Sequence, residues 1–88
     1  MEIIEKLNKA LNKIDSYIGY AKIEQGKPKI IIASDRFNYT NYNARVGVLK
    51  SLLKENGVND IDQYNIEYFV MSEKEYKEAA SSPTFNGI

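Results

Sequence analysis

The sequence predicts one small α/β (α+β) domain ordered α-β-β-α-β-α, with a three-stranded mixed sheet and its helices mainly on one face. Three observations carry that expectation. Apolar residues recur at helical spacing from Ile3 to Ile18. Residues 29–34 form an unbroken β-branched and apolar run that follows a turn signal. A Ser-x-x-Glu capping box at Ser72–Glu75 follows an apolar stretch at 64–71. The order strand, helix, strand across 29–71 makes a βαβ unit with parallel strands, and a tight turn before it makes an antiparallel hairpin.

Each element has its own local reasons. The first helix is expected over Glu2–Tyr17, with Ile3, Ile4, Leu7, Ala10, Leu11, Ile14 and Ile18 on one face and Gly19 as its stop. Tyr20–Glu24 alternates weakly and reads as a strand. Gln25-Gly26-Lys27-Pro28 carries turn chemistry. Lys29–Ser34 is apolar on both faces and suits a central strand. A polar loop, Asp35–Asn43, leads into a second helix over Tyr42–Glu55. Val46, Leu49, Leu52 and Leu53 form that helix's stripe, Thr40 or Asn41 can cap it, and Asn56-Gly57 stops it ahead of an apolar Val58. Tyr64–Met71 is the third strand and Glu73–Ala80 the last helix. Ser81-Ser82-Pro83 ends that helix. Residues 1–80 are thus expected as the domain and 81–88 as a C-terminal tail.

The composition narrows the chemistry. The 88 residues include no Cys and no His, which removes disulfides, thiol catalysis, the commonest general base and the commonest transition-metal ligand. No cofactor and no metal are therefore expected. No apolar run approaches the roughly 18–20 residues needed to cross a bilayer. Met-Glu-Ile-Ile-Glu places acids where an export signal needs positive charge, so a cytoplasmic location is expected. Twelve bases balance twelve acids, but unevenly: residues 1–54 hold ten bases and five acids, residues 55–88 two bases and seven acids. Either the halves occupy different surfaces and polarise the molecule, or they pair with each other.

Several constellations invite a chemical reading. Asp60 and Asp62 are spaced to share one face of a strand, as a magnesium-binding carboxylate pair does; a solvated loop entering the third strand would look the same. Lys6, Lys9 and Lys13 make a basic stripe that serves either phosphate contact or helix solvation. Tyr64 and Tyr68 share a strand face with Ile66 and Val70, as half-buried structure or as an exposed platform. The Asp35–Asn43 loop is the most informative segment. Phe37, Tyr39 and Tyr42 sit there among Arg36, Asn38, Asn41 and Asn43, with Arg45 just beyond. Aromatic faces with amide and guanidinium donors suit contact with a protein surface or with bases. The alternative is that Phe37 and Tyr42 fold back onto the core while the Asn residues make turns and caps.

Ile30-Ile31-Ile32-Ala33-Ser34-Asp35-Arg36-Phe37, with Arg45 opening the second helix, resembles the BolA-like family. That family has an α-β-β-α-β-α body, similar to KH-like nucleic-acid-binding folds. Its second strand ends in a Ser-Asp-(Arg/Lys)-Phe type sequence, with an Arg at the start of the next helix. The last strand and Ser72-Glu73-Lys74-Glu75-Tyr76 resemble it as well. The family's partnership with monothiol glutaredoxins around an iron–sulfur cluster uses a His. Here Val46 follows Arg45 and the chain has no His, so the resemblance implies the fold and not the cluster.

The expected function is that of a small non-enzymatic binding module, an adaptor or inhibitor. It would act by protein–protein contact through the Asp35–Asn43 loop and the start of the second helix. Arg36, Phe37, Asn38, Tyr39, Asn41, Tyr42 and Arg45 are its candidate binding residues. A protein partner is favoured because a neutral domain lacks the electrostatic footprint of most nucleic-acid binders. The alternatives are a KH-like or BolA-like nucleic-acid-binding domain and a degenerate Mg²⁺-dependent nucleotidyltransferase-like domain built on Asp60 and Asp62. Homodimerisation through the edge of the third strand is compatible with any of them.

Overall fold

The computed structural model describes residues 2–38 and 41–80. The expected order is found: α1 (Glu2–Leu11), β1 (Ile18–Glu24), β2 (Lys27–Ala33), α2 (Tyr42–Glu55), β3 (Glu67–Met71) and α3 (Glu73–Ala80), with single 3₁₀ turns at Asp35–Phe37 and Ile61–Gln63. Residues 81–88, expected as a tail, and Thr40, one of the two expected caps, lie outside the described residues.

The sheet is mixed, in the order β1-β2-β3. β1 and β2 pair antiparallel from Ile18↔Ala33 to Glu24↔Lys27, and β2 and β3 pair parallel from Lys29↔Glu67 to Ala33↔Met71. Alternation along the strands divides the sheet into two faces. Ala21, Ile30, Ile32 and Val70 point into the core, where Ile3, Leu7, Ala10 and Leu11 of α1 and Leu49 and Leu53 of α2 meet them. Phe37, Val58, Ile61 and Ile66 complete this core from the connecting segments.

Several boundaries differ from expectation. α1 ends at Leu11, not Tyr17: Lys13 N–H bonds to Ala10 O and Ile14 N–H to Leu11 O, which tightens the last turn until the chain leaves the helix. Ile14 still reaches the core, which is why the periodicity runs past the helix end. Gly19 is a residue of β1 and not a helix stop. A Cβ there would lie 3.1 Å from Ser16 Oγ and 3.4 Å from Ile32 Cγ1, a close approach that a larger residue would have to relieve by shifting those side chains.

The hairpin turn is only Gln25-Gly26, both at positive φ (53° and 79°), the two-residue geometry that matches strand twist. Lys27 and Pro28 therefore belong to β2. Ala21 gives both of its backbone groups to a side chain outside the sheet. By alternation, Ile23↔Pro28 is then also a pair without mutual hydrogen bonds, and the Pro28 nitrogen faces away from β1. Pairing with β3 begins only at Lys29, so the missing N–H breaks no ladder bond. β3 begins at Glu67, not Tyr64, because a 3₁₀ turn at Ile61–Gln63 occupies part of the link from α2.

α2 matches its expected bounds, and its ends show why. Asn41 Oδ1 accepts from Ala44 N–H at 3.2 Å. At the other end Gly57 has φ 95°, its N–H bonds to Lys54 O and the Val58 N–H bonds to Leu53 O, a Schellman motif. The capping box at α3 is also complete: Ser72 N–H donates to Glu75 Oε1 at 2.9 Å and Glu75 N–H to Ser72 Oγ at 3.2 Å.

Two glycines predict effects of opposite sign. A Cβ would meet nothing within 4 Å at either Gly47 or Gly57, so backbone conformation alone decides. Gly57→Ala is expected to lower stability by about 1 kcal/mol, the cost of a left-handed alanine. Gly47→Ala, inside α2, is expected to raise it by about 1 kcal/mol. Urea melts of the two variants check both signs.

Candidate functional site

Within the Asp35–Asn43 segment, several described residues are tied to the fold while others are exposed. Ser34 starts it: its hydroxyl donates to Asp15 O at 3.0 Å and accepts from Arg36 N–H at 3.2 Å, which sets the 3₁₀ turn. That turn drives Phe37 inward to 0% exposure, so the expectation that Phe37 contacts a partner is corrected. Asn41 is spent on the α2 cap. Tyr42 is 51% exposed, but its hydroxyl donates to Tyr68 O at 2.7 Å.

Arg45 is engaged within the fold. Its Nη1 donates to Val70 O at 3.3 Å and its Nη2 lies 2.8 Å from Glu75 Oε1, with the side chain 13% exposed. The guanidinium thus ties α2 to β3 and α3. Arg36 and Asn38 are exposed. Tyr39 lies outside the described residues.

Tyr42 and Arg45 do one further thing. Met71 O accepts from Ser34 N–H across the ladder, so Tyr68 and Val70 point their carbonyls to the open side of β3. Those are the carbonyls that Tyr42 and Arg45 occupy. The expected β3 edge for homodimerisation is therefore taken by side chains of the same chain.

Asp60 and Asp62 do not share a strand face. They bracket Ile61 at the 3₁₀ turn, Asp60 within 3.3 Å of Lys6 Nζ and Asp62 within 2.8 Å of Lys50 Nζ. No group of three or more potential metal ligands occurs among the described residues. These two pairs and Arg45–Glu75 each join a base of residues 1–54 to an acid of residues 55–88. The charge asymmetry in the sequence is thus partly cancelled in space. Tyr64 and Tyr68 pack against the core, the structural alternative.

The opposite face of the sheet is not marked by any motif in the sequence. Away from α1 and α2, the register lays three rows across the strands. Ile18, Ala33 and Met71 form one, Tyr20, Ile31 and Phe69 the next, and Lys22, Lys29 and Glu67 the third. Ile31 and Ala33 are fully buried, whereas Ile18, Tyr20, Phe69 and Met71 are half-buried. Tyr17 continues the apolar surface at 54% exposure, its ring 5.9 Å from that of Tyr76 of α3. Lys77 Nζ sits 4.7 Å from the Tyr17 ring centre, a cation–π contact.

The basic row is neutralised where it stands. Glu24 holds both Lys29 (3.0 Å) and Lys22 (3.1 Å), and Lys29 lies 4.8 Å from the Phe69 ring centre. Hydrogen bonds from Lys29 and then Lys22 keep the Glu24 carboxyl below its ordinary range. Beside α3, a shallow crevice of 390 Å³ is lined by Asp35, Glu73, Lys74, Lys77 and Glu78. Its charges are of mixed sign and Glu73 pairs with Lys77 at 2.9 Å, so it offers no uniform field to a ligand.

Strand parity is the signal that could have found this face. Once Ile31 is central, Tyr20 and Phe69 fall on its row by counting. Comparison with family models, with curated proteins and with solved structures found no match. No helix among the described residues is long and apolar enough to cross a membrane.

The ties of Phe37 and Arg45 to the fold can be tested by stability. Arg45→Ala removes a half-buried bond to Val70 O and the Glu75 pair, and should cost about 1–2 kcal/mol in a denaturant melt; Phe37→Ala should cost about 3–5 kcal/mol. Glu75 gives a pH signature. The Ser72 N–H, then Arg45, hold its carboxyl below the ordinary range despite partial desolvation. A depressed acid stabilises the fold above its unfolded pKa, and that contribution is lost as pH falls through the folded value. Stability should therefore decline on acidification from the ordinary glutamate range downward. Glu75→Gln should flatten that part of the profile.

Proposed function

We propose that this chain is a non-enzymatic binding module that acts through protein–protein contact, and that its contact surface is the sheet face turned away from α1 and α2. One observation carries the reading: an apolar and aromatic surface in which Tyr17 is exposed and Ile18, Tyr20, Phe69 and Met71 are partly exposed, on the sheet face opposite the α1–α2 core. Aromatic and Met side chains are the residues most enriched at protein interfaces, and flat rigid backbone beneath them lowers the entropy of contact. An adaptor or an inhibitor would use such a face. The Ser34–Phe37 segment with Arg45, which resembles the BolA-like family, then serves the fold, and exposed Arg36 and Asn38 stand beside the contact rather than at its centre.

A protein partner is favoured over nucleic acid by the state of the bases, on that face and elsewhere. Lys22 and Lys29 already share Glu24, and Lys6, Arg45 and Lys50 have carboxylate partners. Strong phosphate binding would need these charges free to release counterions.

The test captures a partner from the native host and measures its affinity for folded variants. Tyr17→Ala and Tyr20→Glu should each weaken binding by about tenfold or more, roughly 1.4 kcal/mol, while Arg36→Ala and Asn38→Ala change it little. Folded outer-face variants that bind as the wild type does would refute this surface. Oligonucleotide binding that falls steeply with salt would transfer the function to nucleic acid.

A further inference from the structure

The two edges of the sheet are closed unequally. On β3, Tyr42 and Arg45 occupy the outward carbonyls of both Tyr68 and Val70. On β1, among the described residues, one α1 side chain covers the centre of the edge. Asn8 Oδ1 accepts from Ala21 N–H at 2.8 Å and Asn8 Nδ2 donates to Ala21 O at 3.0 Å. A primary amide in that position presents one acceptor and one donor as the peptide group of an adjacent strand would. Ladder alternation points the N–H and C=O of Gly19 and Ile23 to the same side as those of Ala21. Ile23, beside this edge, is 42% exposed.

We propose that the outer edge of β1 is a self-association site for a second copy of this chain, and that Asn8 is the latch that keeps it shut. The occupant is a second copy because β1 is complementary to itself. Antiparallel pairing about a two-fold axis at Ala21 sets Ala21 against the partner's Ala21 and Gly19 against the partner's Ile23. Tyr20 then lies against the partner's Lys22, and Glu24 against the partner's Ile18. No like charges fall directly opposite, each Tyr20 ring meets an ammonium group of the other chain, and Ile23 gains cover. The pairing is isologous, so it closes at two chains, and two three-stranded sheets become one of six strands. Opening requires only that the Asn8 amide leave Ala21, since the incoming strand replaces both of its bonds. The edge shares Ile18 and Tyr20 with the outer face, but Asn8 and Ala21 lie outside the proposed partner contact, so variants at these two positions test the edge separately from it.

Sedimentation velocity and amide hydrogen exchange of the wild type, Asn8→Ala and Asn8→Ala/Ala21→Pro test it. Proline at position 21 tolerates extended backbone and removes the outward N–H, which closes the edge by other means. Asn8→Ala should dimerise about tenfold or more tightly than the wild type. Its Gly19, Ala21 and Ile23 amides should exchange more slowly as concentration rises, and the double variant should sediment as a monomer. A folded Asn8→Ala chain that stays monomeric from micromolar to millimolar concentration overturns the proposal. So does a dimer that survives in the double variant or that protects β3 instead. Should Asn8→Ala not fold, Asn8→Ser, too short to reach both Ala21 groups, is read by the same outcomes.

Discussion

A three-stranded sheet has only one strand with neighbours on both sides, and that constraint governs this molecule. β2 satisfies its backbone within the sheet and carries Ile30, Ile31, Ile32 and Ala33 at 0% exposure. β1 and β3 each keep one row of peptide groups facing outward, which is costly if buried and adhesive if exposed. Larger sheets dilute that problem over more strands. Here it falls on a few side chains from the helices: Asn8 for β1, Tyr42 and Arg45 for β3. The helices thus hold the sheet twice, by apolar packing beneath it and by polar side chains that reach around its rims.

Arg45 shows how tightly these roles are combined. One guanidinium meets a β3 carbonyl and the carboxylate that caps α3, so α2, β3 and α3 share a single polar node. Lys6–Asp60 and Lys50–Asp62 likewise fasten the turn ahead of β3 to α1 and α2. Exposed pairs of this kind contribute little stability one by one. Their collective effect is to set opposite charges of the two sequence halves side by side.

What could be read from the sequence was what local chemistry decides. The bounds of α2 follow from Asn41 and from Asn56-Gly57-Val58, and those of α3 start from Ser72 and Glu75; each is complete within a few residues. The mixed sheet followed from the order of elements alone. Illegible features depended on distant partners. An apolar period cannot show that the chain leaves the helix at Leu11 while Ile14 still fills the core. The Asp35–Asn43 loop was ambiguous for a similar reason: aromatic, amide and guanidinium groups are what a docking loop needs, and equally what plugs a core and seals an edge. Only the positions of Val70 and Tyr68 decide between them. Asn8 carried a faint clue, an asparagine in mid-helix, where it is a poor helix former unless its side chain is used elsewhere. The Tyr20–Ile31–Phe69 row needed register, which composition does not supply.

The last helix has a different kind of attachment from the first two. α1 inserts four buried side chains and α2 two, whereas α3 buries none. Glu75 meets Arg45 of α2 and the Tyr76 ring lies 5.9 Å from that of Tyr17, while the Ser72–Glu75 reciprocal bonds cap the helix itself. A segment held mainly by charge and hydrogen bonding opens on its own scale, well below the free energy that melts a hydrophobic interior. Protonating the Glu75 carboxylate removes its charge from the Arg45 contact, so residues 73–80 should lose amide protection at milder acidity than the two helices that carry the core.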